Sequence, residues 1–211
     1  MTTSLITGCS TGIGLATAVH LAAHGHTVYA SMRDEASRDA LLAAAAAAAT
    51  EVAVLSIDVD DPVSIRDGVG HVLADAGGLD VLVNNAGVGD LSAVEETTDA
   101  GLRQMFQTNV FGPIAMIRAV LPTMRSAGSG TIVNVSSVSA RIVSALSGPY
   151  AATKYAMEAI TQAVAIEGAA YGIRSFAIEP GFIQTPMLTK ALLTLPSSGG
   201  PHDTVARFIQ S

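Results

Sequence analysis

The chain has no tryptophan, one cysteine, 4% aromatic residues and only 14% charged residues over its 211 positions. Each shortage excludes something. With Cys9 alone no intrachain disulfide can form, which points to a reducing, cytoplasmic setting, and the thiol itself reads as a small residue filling a tight loop. Eleven basic residues stand against eighteen acidic ones, a net charge of −7, and no basic cluster occurs. That balance argues against nucleic acid and against an anionic membrane surface. No apolar run reaches the ~18 residues of a spanning helix, and no charged and apolar leader precedes the first strand. The histidines (His20, His24, His26, His71 and His202) make no ligand spacing with carboxylates or thiols, so no metal site is expected. With so few aromatics, the interior must be built from Ala, Val, Leu and Ile, which suits a buried parallel sheet under Ala-rich helices.

What is present alternates. Strand-like runs at 4–7, 27–30, 52–57, 81–83, 131–135 and 174–178 are separated by helical stretches at 15–22, 37–49, 61–76, 99–125 and 150–171. The second of these contains seven consecutive alanines, the residue of highest helix propensity. Asp61-Pro62 opens the next helix and Gly77-Gly78 closes it. Six strands alternating with helices specify an α/β fold, a doubly wound parallel sheet with helices on both faces. No linker or repeat divides it. The chain reads as one dinucleotide-binding domain, 1–211, with 186–211 an irregular, truncated-looking lid segment.

The chemistry-bearing residues fall at strand ends. Gly8-Cys9-Ser10-Thr11-Gly12-Ile13-Gly14 sits between a strand and a helix, where glycines let the backbone approach a pyrophosphate and the helix N-terminus attracts it. Asp58, Asn84-Asn85-Ala86-Gly87, Ser136-Ser137 and Pro180-Gly181 each follow a different strand. In an open parallel sheet those ends share one rim, where ligands bind. Tyr150 and Lys154 lie four apart on a helix begun by Pro149, hence on one face, and a neighbouring cation favours the phenolate. Alone, such a pair is more often an ordinary surface pair on an amphipathic helix.

Taken together, Gly8-x-x-x-Gly12-x-Gly14, Asn84-Asn85-Ala86-Gly87, Asn109, Ser137, Tyr150-x-x-x-Lys154 and Pro180-Gly181 resemble the short-chain dehydrogenase/reductase family across residues 5–187. Residues 28–33 and Cys9-Ser10 are similar to its hydroxysteroid and retinol dehydrogenase branch. The resemblance implies a Rossmann fold and an oxidoreductase passing hydride between a nicotinamide cofactor and a carbonyl or alcohol. It makes Tyr150 the general acid/base, Lys154 the cation that lowers its pKa and binds ribose, Ser137 the holder of substrate oxygen, and Asn109 the fourth catalytic member. It assigns cofactor contacts to Gly8, Ser10, Thr11, Gly12, Ile13, Gly14, Arg33, Asp58, Val59, Asn85, Ala86, Gly87, Pro180, Gly181, Ile183 and Thr185, besides Tyr150 and Lys154. Asp58 is expected at the adenine and Thr185 at the carboxamide, with Asn84 tying strands together. For Asn109 the sequence adds a physical reason: Pro113, four residues on, has no N–H, so the Asn109 carbonyl loses its helical partner and can hold a water linked to Lys154. A plain proline kink is the alternative.

Cofactor choice turns on strand two. Eighteen residues beyond Gly14 stands Met32, followed by Arg33, an arrangement suited to a 2′-phosphate, so NADP(H) is favoured. If the strand ends two residues later, Asp34 takes the ribose hydroxyls and selects NAD(H). Residues 140–146 and 187–195 are expected to line the substrate pocket. They are mostly apolar, with Arg141 and Lys190 their charges, which favours an apolar ketone, aldehyde or secondary alcohol. Where the family continues into a seventh strand, no such strand is legible after 178. Truncation, or an open edge covered by a partner in a homo-oligomer, would account for that. A non-catalytic dinucleotide sensor of the same fold is the other function considered. It predicts a missing Tyr, Lys or Ser, and all three are present.

Overall fold

The structure, a computed structural model, describes residues 1–193 and His202. β1 (Thr2–Ile6) is buried at its last four positions without alternation, as a strand covered on both faces must be. α1 (Gly12–Ala23) and β2 (His26–Met32) follow, then a short 3-10 turn and α2 (Asp39–Ala47). β3 (Ala53–Ser56) leads to α3 (Pro62–Ala76). There the Val63 N–H donates to Asp61 Oδ1 at 2.8 Å, Pro62 occupies the first turn, and Gly77 stops the helix at φ 73°. β4 (Val81–Asn84), α4 (Asp99–Phe106), α5 (Gly112–Ala127), β5 (Gly130–Val135), α6 (Gly148–Gly168), β6 (Ile173–Ile178) and α7 (Pro186–Leu193) complete the described elements.

All pairings are parallel and the strand order is β3-β2-β1-β4-β5-β6. Successive residues of the central strands serve opposite cores. Leu5, Leu82 and Ile132 join Val69, Met116 and Val120 on one face, while Ile6, Val83 and Val133 join Ala18 and Leu41 on the other. The order reverses between β1 and β4, and that reversal opens the crevice in which the glycine turn lies. A polar chain crosses the sheet beneath the crevice. Asn84 Nδ2 donates to Asn134 Oδ1 at 2.9 Å, Asn134 Nδ2 donates to Thr161 Oγ1 at 2.9 Å, and Thr161 donates to the Met157 carbonyl at 2.6 Å.

Two expectations need correction. The helix read over 99–125 is broken by a π-turn, Gln107–Phe111, between α4 and α5. Pro113 cannot donate to the carbonyl four residues back, and the local pattern shifts so that the Gly112 N–H reaches the Gln107 carbonyl, five residues back. Residues 186–193, read as irregular, form α7. The rest of the lid segment lies outside the described residues, apart from His202. Among the described residues β6 is an edge strand, with Phe176 and Ile178 about half exposed. Among them, too, no helix is long and apolar enough to cross a membrane.

Candidate active site

The glycine turn is shaped by contact as much as by dihedral. Gly8 has φ 71°, and a Cβ there would lie 2.8 Å from Ala86 Cα. A Cβ on Gly14 would run into the Gly8 carbonyl and the Asn85 amide. The turn is laced to β4, since Asn85 Nδ2 donates to the carbonyls of Thr7 (2.8 Å) and Gly8 (3.0 Å). Thr7 Oγ1 accepts from the N–H groups of Asn85 and Ala86, both at 3.0 Å. α1 then follows its N-cap Thr11 with no side-chain cap and no acid in its first turn, so its own first turn supplies no anion to its N-terminal N–H groups and dipole.

A cavity of about 750 Å³ runs along the rim. Gly8, Ser10, Thr11, Gly12, Ile13, Arg33, Asp58, Val59, Asn85, Ala86, Gly87, Ser137, Tyr150, Lys154, Pro180, Gly181, Ile183 and Thr185 all line it. Gly14 and Asn109 do not. Gly14 lies beneath the turn against Gly8, and Asn109 stands behind Val88. At the outer end Arg33 is exposed, whereas the Asp34 carboxylate caps a 3-10 turn by accepting from the Ala36 N–H at 2.9 Å.

At the inner end the π-turn aims Asn109 at the loop after β4. Its Oδ1 accepts from the Val88 N–H and its Nδ2 donates to the Val88 carbonyl, both at 2.8 Å, with a further bond to Thr153 Oγ1 at 3.1 Å. Ser137 begins a 3-10 turn, its Oγ accepting from the Ser139 N–H at 3.1 Å, and it lines the same cavity as Tyr150. Lys154 is buried one turn below Tyr150, its Nζ donating to the Val135 carbonyl at 2.8 Å and lying 5.6 Å from the centre of the Tyr150 ring. Burial raises the Tyr150 phenol above its ordinary value and the neighbouring Ser137 hydroxyl works against that rise. Burial also pulls Lys154 down to about 8, against the opposing field of Glu158. Cys9 is buried in the turn and its thiol is pushed up to about 12, which leaves it unreactive.

Several lining residues were not anticipated. Gly89 passes so close that a Cβ on it would sit 3.4 Å from the Tyr150 ring, and Ser147 lies on the same wall. Their signal in the sequence was position, since Gly89 follows the Asn85-Ala86-Gly87 loop and Ser147 precedes the Tyr150 helix. Of residues 140–146 only Ser144 lines the cavity, and Arg141 turns away from it to Glu179. From the 187–195 segment Met187, Leu188 and Ala191 do line it.

Residues 2–195 match the sequence pattern of the short chain dehydrogenase family. The chain belongs to that family. It is 35% identical over 181 residues to the 3-ketodihydrosphingosine reductase of Bacteroides thetaiotaomicron, a match covering 86% of this chain and 64% of that protein. It is 36% identical over 213 residues to the retinol dehydrogenase 8 of Bos taurus, covering 98% of this chain and 68% of the relative. The chain thus spans about two thirds of the length of these relatives. Among solved structures, a metagenomic short-chain oxidoreductase in complex with NADP superposes with a TM-score of 0.80 at 30% identity, covering 86% of this chain and 82% of that one. In open parallel sheets ligands bind in the crevice where the strand order reverses, here between β1 and β4.

Proposed function

We propose that the chain is an oxidoreductase that passes hydride between NADP(H) and the carbonyl or alcohol carbon of an apolar ketone, aldehyde or secondary alcohol. The observation that carries this reading is the convergence of Ser137, Tyr150 and Lys154 at one end of a cavity whose other end is the glycine turn. The residues present fit a dinucleotide. Gly8 and Gly14 leave no room for side chains, α1 presents an uncapped N-terminus, and Arg33 stands at the outer rim while Asp34 is engaged in its own turn. Gly8 to Ile13 would hold the pyrophosphate, Asp58 and Val59 the adenine, Arg33 a 2′-phosphate, Lys154 the inner ribose, and Pro180 to Thr185 the nicotinamide. When bound, that group supplies or accepts the hydride.

The protein moves the proton. Ser137 donates to the substrate oxygen and to the developing alkoxide, and Tyr150 gives or takes the hydroxyl proton. The Lys154 ammonium favours the phenolate, and Asn109 fixes the loop at Val88 that walls the site. Leu91, Phe182, Met187, Leu188 and Ala191 surround the space before Tyr150, and the Asp90 carboxylate accepts from the Leu91 N–H at 2.9 Å. Walls of this kind reward apolar burial at about 25 cal/mol per Å² and leave a substrate carboxylate or phosphate unpaired.

The test is a screen following the absorbance of reduced cofactor, with NADPH and NADH separately, over bulky apolar carbonyls, sugars and keto acids. Bulky apolar carbonyls with NADPH are expected to give the highest kcat/KM. Sugars or keto acids turning over fastest would overturn the substrate class, and turnover with neither cofactor would overturn the activity.

A further inference from the structure

Arg141 makes no part of the cavity wall, yet it joins the three elements that carry the site. Its Nε donates to the two Glu179 carboxylate oxygens at 3.0 and 3.1 Å, and its Nη2 donates to Glu179 Oε1 at 2.7 Å. The same Nη2 lies 3.4 Å from Glu158 Oε2, and the Arg141 carbonyl accepts from the Tyr155 hydroxyl at 3.1 Å. The loop bearing Ser137, the helix bearing Tyr150 and Lys154, and the strand end leading to Pro180-Gly181 therefore meet at one guanidinium. The Arg141–Glu179 pair is exposed and by itself contributes little.

Glu158 is a different case. It is 7% exposed, its Oε1 has no hydrogen-bond partner, and it stands one helical turn beyond Lys154, also 7% exposed. A half-paired buried carboxylate costs free energy unless a cation compensates it, and so does a buried ammonium. Each of these two groups answers the other's need. Glu158 does not line the cavity, so it acts only through its neighbours.

We infer that Glu158, steadied by Arg141, is a positioning residue that balances the buried Lys154 ammonium and keeps it charged beside Tyr150. This rests on the proposed hydride chemistry for its purpose, though not for its electrostatics. The groups facing the pair are Tyr150 from the same helix, Arg141 from the loop after β5, Glu179 from the end of β6, and the Val135 carbonyl of β5. Glu158 is the charge that holds Lys154 up against burial. With Lys154 at about 8, roughly nine-tenths of the molecules carry the ammonium at pH 7.

Lys154 and Lys190 are the two lysines of the chain, so protein labelled with 13C at the lysine Cε gives two titrating signals with neither cofactor nor substrate present. Glu158→Gln is expected to lower the Lys154 midpoint by about one pH unit and leave Lys190 in place, and Glu158→Asp to recover more than half of the loss. Turnover of Glu158→Gln relative to the parent should fall about twofold at pH 7 and about fivefold at pH 8, following the lost ammonium, with KM for the carbonyl unchanged. Arg141→Met alters an exposed side chain that should not prevent folding. It removes one of the two cations that share the Glu158 carboxylate, so the Lys154 midpoint should rise. A Lys154 midpoint that stays put in Glu158→Gln, Gln and Asp variants that behave alike, or an Arg141→Met midpoint that fails to rise would each overturn the inference. A parent enzyme that reduces no carbonyl would instead defeat the proposed function, and the titration would still decide the role of Glu158.

Discussion

Replacing Lys154 by methionine is expected to stabilise the protein while abolishing its chemistry. Methionine keeps an unbranched stem along α6 and removes the ammonium. An ordinary lysine titrates at 10.5 and burial brings Lys154 to about 8. At about 1.36 kcal/mol per pH unit, carrying that charge inside the fold costs about 3 kcal/mol. The variant also loses the 2.8 Å charge-assisted bond from Nζ to the Val135 carbonyl, worth about 1.5–3 kcal/mol. The net gain is about 0.5–2 kcal/mol at pH 7, or about 1–8 °C in Tm for a chain of this size. The sign of the pH dependence follows from the lowered folded value. Below pH 8 the lysine is protonated in both folded and unfolded chains, and the full cost is present. Between 8 and 10.5 the unfolded chain binds more protons, so parent stability rises with pH, and above 10.5 the cost has gone. The advantage of methionine should therefore be full at pH 7 and fade across that window. Urea unfolding followed by circular dichroism at a series of pH values measures it. A variant less stable than the parent at pH 7, or an advantage that does not shrink with pH, would refute the reasoning.

Tyr150→Phe keeps the ring and deletes the proton, so kcat should fall at least ~100-fold with cofactor affinity nearly unchanged; activity within a few-fold of the parent would remove Tyr150 from the chemistry. Arg33→Ala should weaken NADPH about ten- to a hundred-fold and leave NADH untouched. A fluorescence titration in which the parent prefers NADH would instead make Asp34 the ribose ligand. Gly14→Ala forces a methyl onto the Gly8 carbonyl and the Asn85 amide and should cost about 1–3 kcal/mol. An unchanged melting temperature would show that the turn can relax.

Much of the layout was legible because it depends on local patterns. Uninterrupted apolar runs marked the central strands, Asp61-Pro62 and Gly77 bounded α3, and the strand ends placed the glycine turn, Ser137 and Pro180 on one rim. The π-turn was not legible, because Pro113 announces a disrupted helical bond without saying how the backbone will re-route it. Arg141 misled for a different reason. Its neighbours in sequence approach the pocket, but its direction is set by Glu179, thirty-eight residues away. Spacing also put Lys154 beside Tyr150, yet it could not reveal that burial raises the phenol or that the ammonium bonds the Val135 carbonyl. Burial of that kind depends on the whole packed sheet.

The polar chain Asn84–Asn134–Thr161 has a consequence for how reliably the site assembles. Apolar contacts between α6 and the sheet are forgiving, and a helix sliding along such a surface exchanges one methyl contact for another. The two amides and the hydroxyl are not. Sliding α6 along β5, or β5 against β4, would strand buried donors and acceptors at a cost of about 1–3 kcal/mol for each group left unpaired. Because Thr161 stands two turns beyond Lys154 on the same helix, this chain works as a key cut for one seating of α6 alone. Tyr150 thus reaches Ser137 by the registry of groups that never meet a substrate.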